Sequence, residues 1–153
     1  MKNPDESFEE SKARKKKGSQ GKTAEAAVQK LLDQRQREGK ISYIRLLDAR
    51  TCGKPVPAAP ADFVVFQESC VATLLEVKQI SKGDRLPKKS FTQLPRMLSM
   101  KQAWPMLVVY LAGTDSWWSM DVTRMDLSAA SWKVNEELGY KIKLEELFNV
   151  NPR

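Results

Sequence analysis

Pro60-Ala61-Asp62-Phe63-Val64-Val65-Phe66-Gln67, followed after a short gap by Ala72-Thr73-Leu74-Leu75-Glu76-Val77-Lys78-Gln79, is the stretch on which the fold turns. Both runs are short and rich in β-branched and aromatic residues, and Glu68-Ser69 between them is turn-like, so two strands over 61–67 and 72–79 are expected. Side chains alternate along a strand, which puts Glu76 and Lys78 on one face and Val77 on the other. In an antiparallel hairpin, Asp62 at the start of one strand comes beside Glu76 and Lys78 at the end of its neighbour. Two carboxylates and an ammonium then meet at one end of a sheet. Burying such a trio is unfavourable unless its charges find partners. A lone Glu-x-Lys is a common pattern whose plainest reading is a structural ion pair. The ordered combination of Pro-x-Asp, apolar strand, turn, apolar strand and Glu-x-Lys favours a chemical site.

Outward from the hairpin, Thr23 is a plausible N-cap, and Ala24, Ala27, Val28, Leu31 and Leu32 share one helical face, so a helix is expected to run to about Glu38 and stop at Gly39. A short strand follows over 41–47, then a proline-rich loop over 51–60. On the other side, 81–89 reads as a basic loop. Phe91, Leu94, Met97 and Leu98 have helical spacing within 91–102, with Pro95 either in the first turn or at a kink. The unbroken apolar run Met106-Leu107-Val108-Val109-Tyr110-Leu111 suits a strand buried on both faces. A further strand is expected over 117–122, and short helices around 127–132 and 144–148. The order α-β-β-β-α-β-β implies one α/β domain over 21–153, with a central mixed β-sheet flanked by helices. Residues 1–20 are polar and highly charged and read as a disordered basic arm.

Composition narrows the chemistry. The chain has no histidine, which removes Ser-His-Asp and Cys-His catalysis and the commonest general base. Cys52 and Cys70 are its two cysteines, too few for a four-ligand zinc site, and are expected to be reduced thiols. No run of about 18 apolar residues and no secretory h-region are present, so the protein is expected to remain in the cytoplasm, or wherever the host DNA lies. The net charge of +7 points to an anionic partner. It is concentrated in two clusters, Lys12 to Lys22 (with Lys15, Lys16, Lys17 and Lys22) and Lys82 to Lys101 (with Arg85, Lys88 and Lys89). Such clusters fit a polyanion.

Phosphodiester hydrolysis suits these residues. Mg²⁺ favours oxygen ligands, and Asp62, Glu76 and the backbone carbonyl of Val77 would supply them. Mn²⁺ would be held by the same atoms. Lys78 would position or help deprotonate the attacking water and offset charge in the transition state. The loop 81–89 leaves directly from this strand, so its lysines should approach the scissile backbone.

Asp62…Glu76-Val77-Lys78 on a hairpin, preceded by a helix, resembles the PD-(D/E)XK nuclease superfamily, and most of all its small Holliday junction resolvases of archaeal and phage type. The likeness spans roughly 21–122, and the chain departs from the pattern in having Ala61 between Pro60 and Asp62. It implies a restriction-endonuclease-like domain acting as a Mg²⁺-dependent DNA endonuclease on branched DNA. It also implies a fourth site residue, Glu25 on the first helix, as a further metal ligand, and matches Gln93-Leu94 to a Gln-Leu pair on the helix after the Glu-x-Lys strand, with Gln93 expected on the DNA. A homodimer follows, because a four-way junction needs two symmetric cuts. Two other readings stay open: a nuclease of the same fold acting on flaps, ends or duplex, and a non-catalytic basic DNA-binding recombination accessory protein.

Overall fold

The structure, a computed structural model, describes residues 23–47, 53, 57–68 and 71–149. The expected basic arm, Lys15, Lys16, Lys17, Lys22, Cys52 and Cys70 lie outside the described residues.

Helix α1 spans 23–37. Its apolar stripe, Ala24, Val28, Leu31 and Leu32, is buried as the spacing predicts. Gly39 ends it at φ 72°, a conformation that costs glycine little. The strands are β1 (Ile41–Arg45), β2 (Phe63–Gln67), β3 (Ala72–Ile80), β4 (Arg85–Pro87), β5 (Ala103–Leu111), β6 (Ser116–Met120), β7 (Ser131–Lys133) and β8 (Gly139–Ile142), with helix α2 (Leu94–Ser99) between β4 and β5.

Six strands form the expected central mixed sheet, in the order β1-β2-β3-β5-β6-β8. All neighbours are antiparallel except β3 and β5, which run parallel from Ala72↔Ala103 to Ile80↔Leu111. A parallel pair needs a crossover, and β4, α2 and the turn between them supply it. The sheet separates two apolar layers. Leu74, Leu107 and Val109 pack with Leu86, Phe91, Leu94, Met97 and Trp132 on the α2 side. Phe63, Val65, Leu75, Val77 and Val108 pack with α1 on the other. Buried Arg35 of α1 donates to the carbonyls of Leu147 and Glu145, tying the C-terminal segment to the helix. Gly139 has no room for a side chain, since a Cβ there would stand 2.3 Å from the Ser119 carbonyl oxygen on β6.

Several expectations are corrected. The basic segment 81–89 is not simply a loop: Arg85–Pro87 pairs with Ser131–Lys133 in a separate two-stranded sheet. The segment 127–132 is therefore not a helix, and 144–148 holds only a 3-10 turn, Leu144–Glu146. The helix expected over 91–102 shortens to the six residues of α2, with Pro95 in its first turn. Strand β8 has no counterpart in the expected order. Among the described residues no helix is long and apolar enough to cross a membrane.

Candidate active site

The β2–β3 ladder ends at Phe63↔Leu75, and one step beyond it Asp62 and Glu76 stand opposite each other. The backbone carries the hairpin this far, because Asp62 N–H donates to the Leu75 carbonyl at 3.1 Å and Leu46 N–H donates to the Asp62 carbonyl at 2.8 Å. Asp62 Oδ2 then accepts a hydrogen bond from Val77 N–H at 2.8 Å. In an extended strand a residue's N–H and C=O project toward the same neighbour, so the Val77 carbonyl also faces the Asp62 side, past the last ladder rung.

Glu76 is fully buried, at 0% exposure. Lys78, two residues on and on the same face, brings its ammonium to 2.5 Å from Glu76 Oε1. Neither Glu76 oxygen has a directed hydrogen-bond partner among the described residues. A buried carboxylate without such partners is expensive to keep ionised. Burial pushes the Glu76 carboxyl up to about 7, helped by the neighbouring charge of Asp62 and opposed by Lys78. Burial likewise raises the Asp62 carboxyl to about 6, against the pull of the Val77 N–H and of Lys78. Phe91, entering α2, places its ring 6.0 Å from Lys78 Nζ and so backs the ammonium.

Glu25 lies close enough to raise both acids, yet its own carboxylate is held by Arg45 at 2.6 Å. Arg45 also donates to Gln29, one turn further along α1, at 3.1 Å. The structure therefore does not gather Glu25 with the other acids: among the described residues no group of three or more His, Cys, Asp or Glu side chains is placed to hold a metal. Asp62, Glu76 and Lys78 come together as expected, with Glu25 as a neighbouring charge.

The donor set fits a hard divalent cation. It offers oxygen atoms only, two from a buried carboxylate that lacks directed partners and others from Asp62 and Val77. Asp62 and Glu76 face one ammonium, that of Lys78, so the site carries one surplus negative charge when both acids are ionised, with the neutral Glu25–Arg45 pair beside it.

Of the residues expected on DNA, Lys82, Arg85, Lys88 and Lys89 are all exposed, and none forms an ion pair among the described residues. Arg96 and Lys101 share that property. Lys88 donates to the Leu127 carbonyl and Arg85 to Ser131 Oγ at 3.1 Å. Gln93 sits at the start of α2, half-buried, with Oε1 buried and without a hydrogen-bond partner among the described residues. Met97 and Trp132 are core residues, whereas Met100 and Trp104 are exposed. Trp117 is half-buried against Tyr110, 4.8 Å away between ring centroids. Arg45 and the Val77 N–H were not singled out by the sequence, and Phe91 was read only as an apolar helix position. Arg45 could have been found from its place at the end of β1, next to the strand that follows Asp62.

No family model matches the sequence, and no curated protein sequence does either. The fold is nevertheless similar to that of a solved protein, the Holliday junction resolvase Hjc of Archaeoglobus fulgidus, an archaeal hyperthermophile. The superposition has a TM-score of 0.54 at 19% identity and covers 84% of this chain and all of that one. The chain thus has an α/β, restriction-endonuclease-like fold of the kind seen in that resolvase.

Proposed function

We propose that this protein is a metal-dependent DNA endonuclease that cuts branched DNA as a Holliday junction resolvase does. The observation that carries the reading is the meeting of Asp62 and Glu76 across the hairpin, with the Glu76 carboxylate buried, short of directed partners and flanked by Lys78. Such an arrangement is unfavourable as scaffold and reasonable as a site. Asp62, Glu76 and the Val77 carbonyl would hold Mg²⁺ or Mn²⁺, which when bound neutralises phosphate charge and acidifies a water. The Val77 N–H fixes the Asp62 carboxylate toward the pocket. Lys78 orients the attacking water and offsets charge growing on the phosphoryl oxygens. The unpaired lysines and arginines over 82–101 hold flanking phosphates. Two symmetric cuts require two sites, so a two-fold dimer belongs to the same proposal.

Labelled four-way junction, flap and linear duplex, each incubated with and without Mg²⁺, test it. Paired nicks near the branch point, dependent on Mg²⁺, are expected. Preferred cutting of flaps or duplex would keep the nuclease and remove the junction specificity. Tight binding of every substrate with no cutting would make the chain a DNA-binding accessory protein.

A further inference from the structure

Beside the catalytic hairpin lies a second recess, of about 640 Å³, within the range of roughly 300–1,000 Å³ common for small-molecule sites. Pro87, Pro95 and Leu127 form its more exposed sides, and Phe91, Leu94 and Trp132 its buried base. Lys88 and Lys89 line it too, and no carboxylate does. Asp126, which feels the charge of Lys88, is turned to the hydroxyl and N–H of Ser128. Leu127, 45% exposed, leaves apolar surface open within a strongly basic region.

A recess that is apolar within and cationic around suits a flat, apolar-faced group that carries an anion. A nucleobase on its phosphate has that chemistry. Position supports the same occupant, because Phe91 belongs to both sites: it lines the recess, and its ring centroid lies 6.0 Å from Lys78 Nζ. A phosphate at Glu76 and Lys78 therefore has the bases of neighbouring nucleotides within reach of the recess. Bases inside a duplex have both faces stacked and cannot enter, whereas an unpaired base at a branch, gap or mismatch can do so at little cost.

We propose that this recess receives an unpaired nucleobase next to the scissile phosphate, with Lys88 and Lys89 on the adjoining phosphates. The proposal rests on the nuclease reading above and adds a physical reason for preferring branched over perfect duplex DNA.

The test uses the full chain in EDTA with a duplex carrying 2-aminopurine, either paired or opposite an abasic site. Acrylamide quenching of the unpaired probe should fall by about threefold on binding, while the paired probe is quenched equally with and without protein. Equal quenching of the unpaired probe in the bound and free states would overturn the proposal without any variant. Ala130→Trp and Leu127→Asp, both at exposed positions, should each lower the ratio of unpaired-site to perfect-duplex affinity by at least about fivefold. Thermal melting reports whether each remains folded. A folded variant that keeps the wild-type ratio overturns the proposal and leaves the recess to an apolar protein partner. Duplex binding and Mg²⁺-dependent cutting without probe protection would remove the base site alone, and absence of both would remove the nuclease reading with it.

Discussion

Asp62 Oδ2 and the backbone N–H of Val77 are 2.8 Å apart, so the amide between Glu76 and Lys78 holds the one acid that the opposite strand contributes. The hydrogen bond aligns three side chains from two strands with a single rigid contact. It also separates the role of Asp62 as a structural acceptor from its role as a charge.

That separation makes Asp62→Asn informative. The carboxamide oxygen can still accept from Val77 N–H, so the fold and DNA affinity should persist. Single-turnover cleavage in Mg²⁺ should fall at least roughly a hundredfold. Gel-shift affinity and cleavage rate measured on the same preparation check this, and a variant cutting at the wild-type rate would remove Asp62 from the chemistry.

Glu76 and Asp62 also set a pH dependence of stability with an unusual sign. Their folded carboxyls titrate near 7 and 6, above ordinary values of 4.5 and 3.8. Between about pH 4 and 7 the folded chain then binds more protons than the unfolded one, so stability is full below that window and is lost as pH rises through it. Each carboxyl contributes on the order of 3 kcal/mol to that loss, about 6 kcal/mol for the two together. In EDTA, melting temperature should decline from pH 5 to pH 8, and Mg²⁺ should reverse the decline. Glu76→Gln should flatten the profile and raise the melting temperature at pH 8 by about 5 °C, at the expense of activity. A wild-type melting temperature that climbs with pH in EDTA would contradict the raised carboxyls.

Glu25 is tied to Arg45, which predicts a graded rather than absolute role. Glu25→Gln should slow cleavage by roughly tenfold or less, as expected of a nearby charge, while Asp62→Asn costs far more. Losses of equal size, measured at saturating Mg²⁺, would make Glu25 a ligand on a par with Asp62.

Lys88 and Lys89 should report phosphate contacts through salt. Each contact removed lowers the slope of log affinity against log salt by about 0.9 on duplex DNA. Lys89→Ala should account for most of the change, because Lys88 already donates to the Leu127 carbonyl. A double alanine variant with the wild-type slope would take both lysines off the DNA.

The hairpin and its site were legible because strand alternation is a local rule. Once Phe63 to Gln67 and Ala72 to Ile80 are strands, the positions of Asp62, Glu76 and Lys78 follow. β5 was legible from its unbroken apolar run, Met106 to Leu111. What stayed hidden depends on partners distant in sequence. Arg85-Leu86-Pro87 and Ser131-Trp132-Lys133 are strands only because they pair with each other, and three residues are too few to show a period. A short helix was expected around Leu127 to Trp132, yet Trp132 is buried from a strand. The capture of Glu25 by Arg45 joins helix and sheet side chains, which no linear pattern records.

The central claim is that Asp62 and Glu76 share one divalent cation, and Mn²⁺ titration followed by electron paramagnetic resonance at pH 8 measures it directly. Saturable binding of one Mn²⁺ per chain is predicted for the wild type, with its loss in both Asp62→Asn and Glu76→Gln. Binding unaffected by either substitution, or none in the wild type even with a DNA junction present, would contradict it.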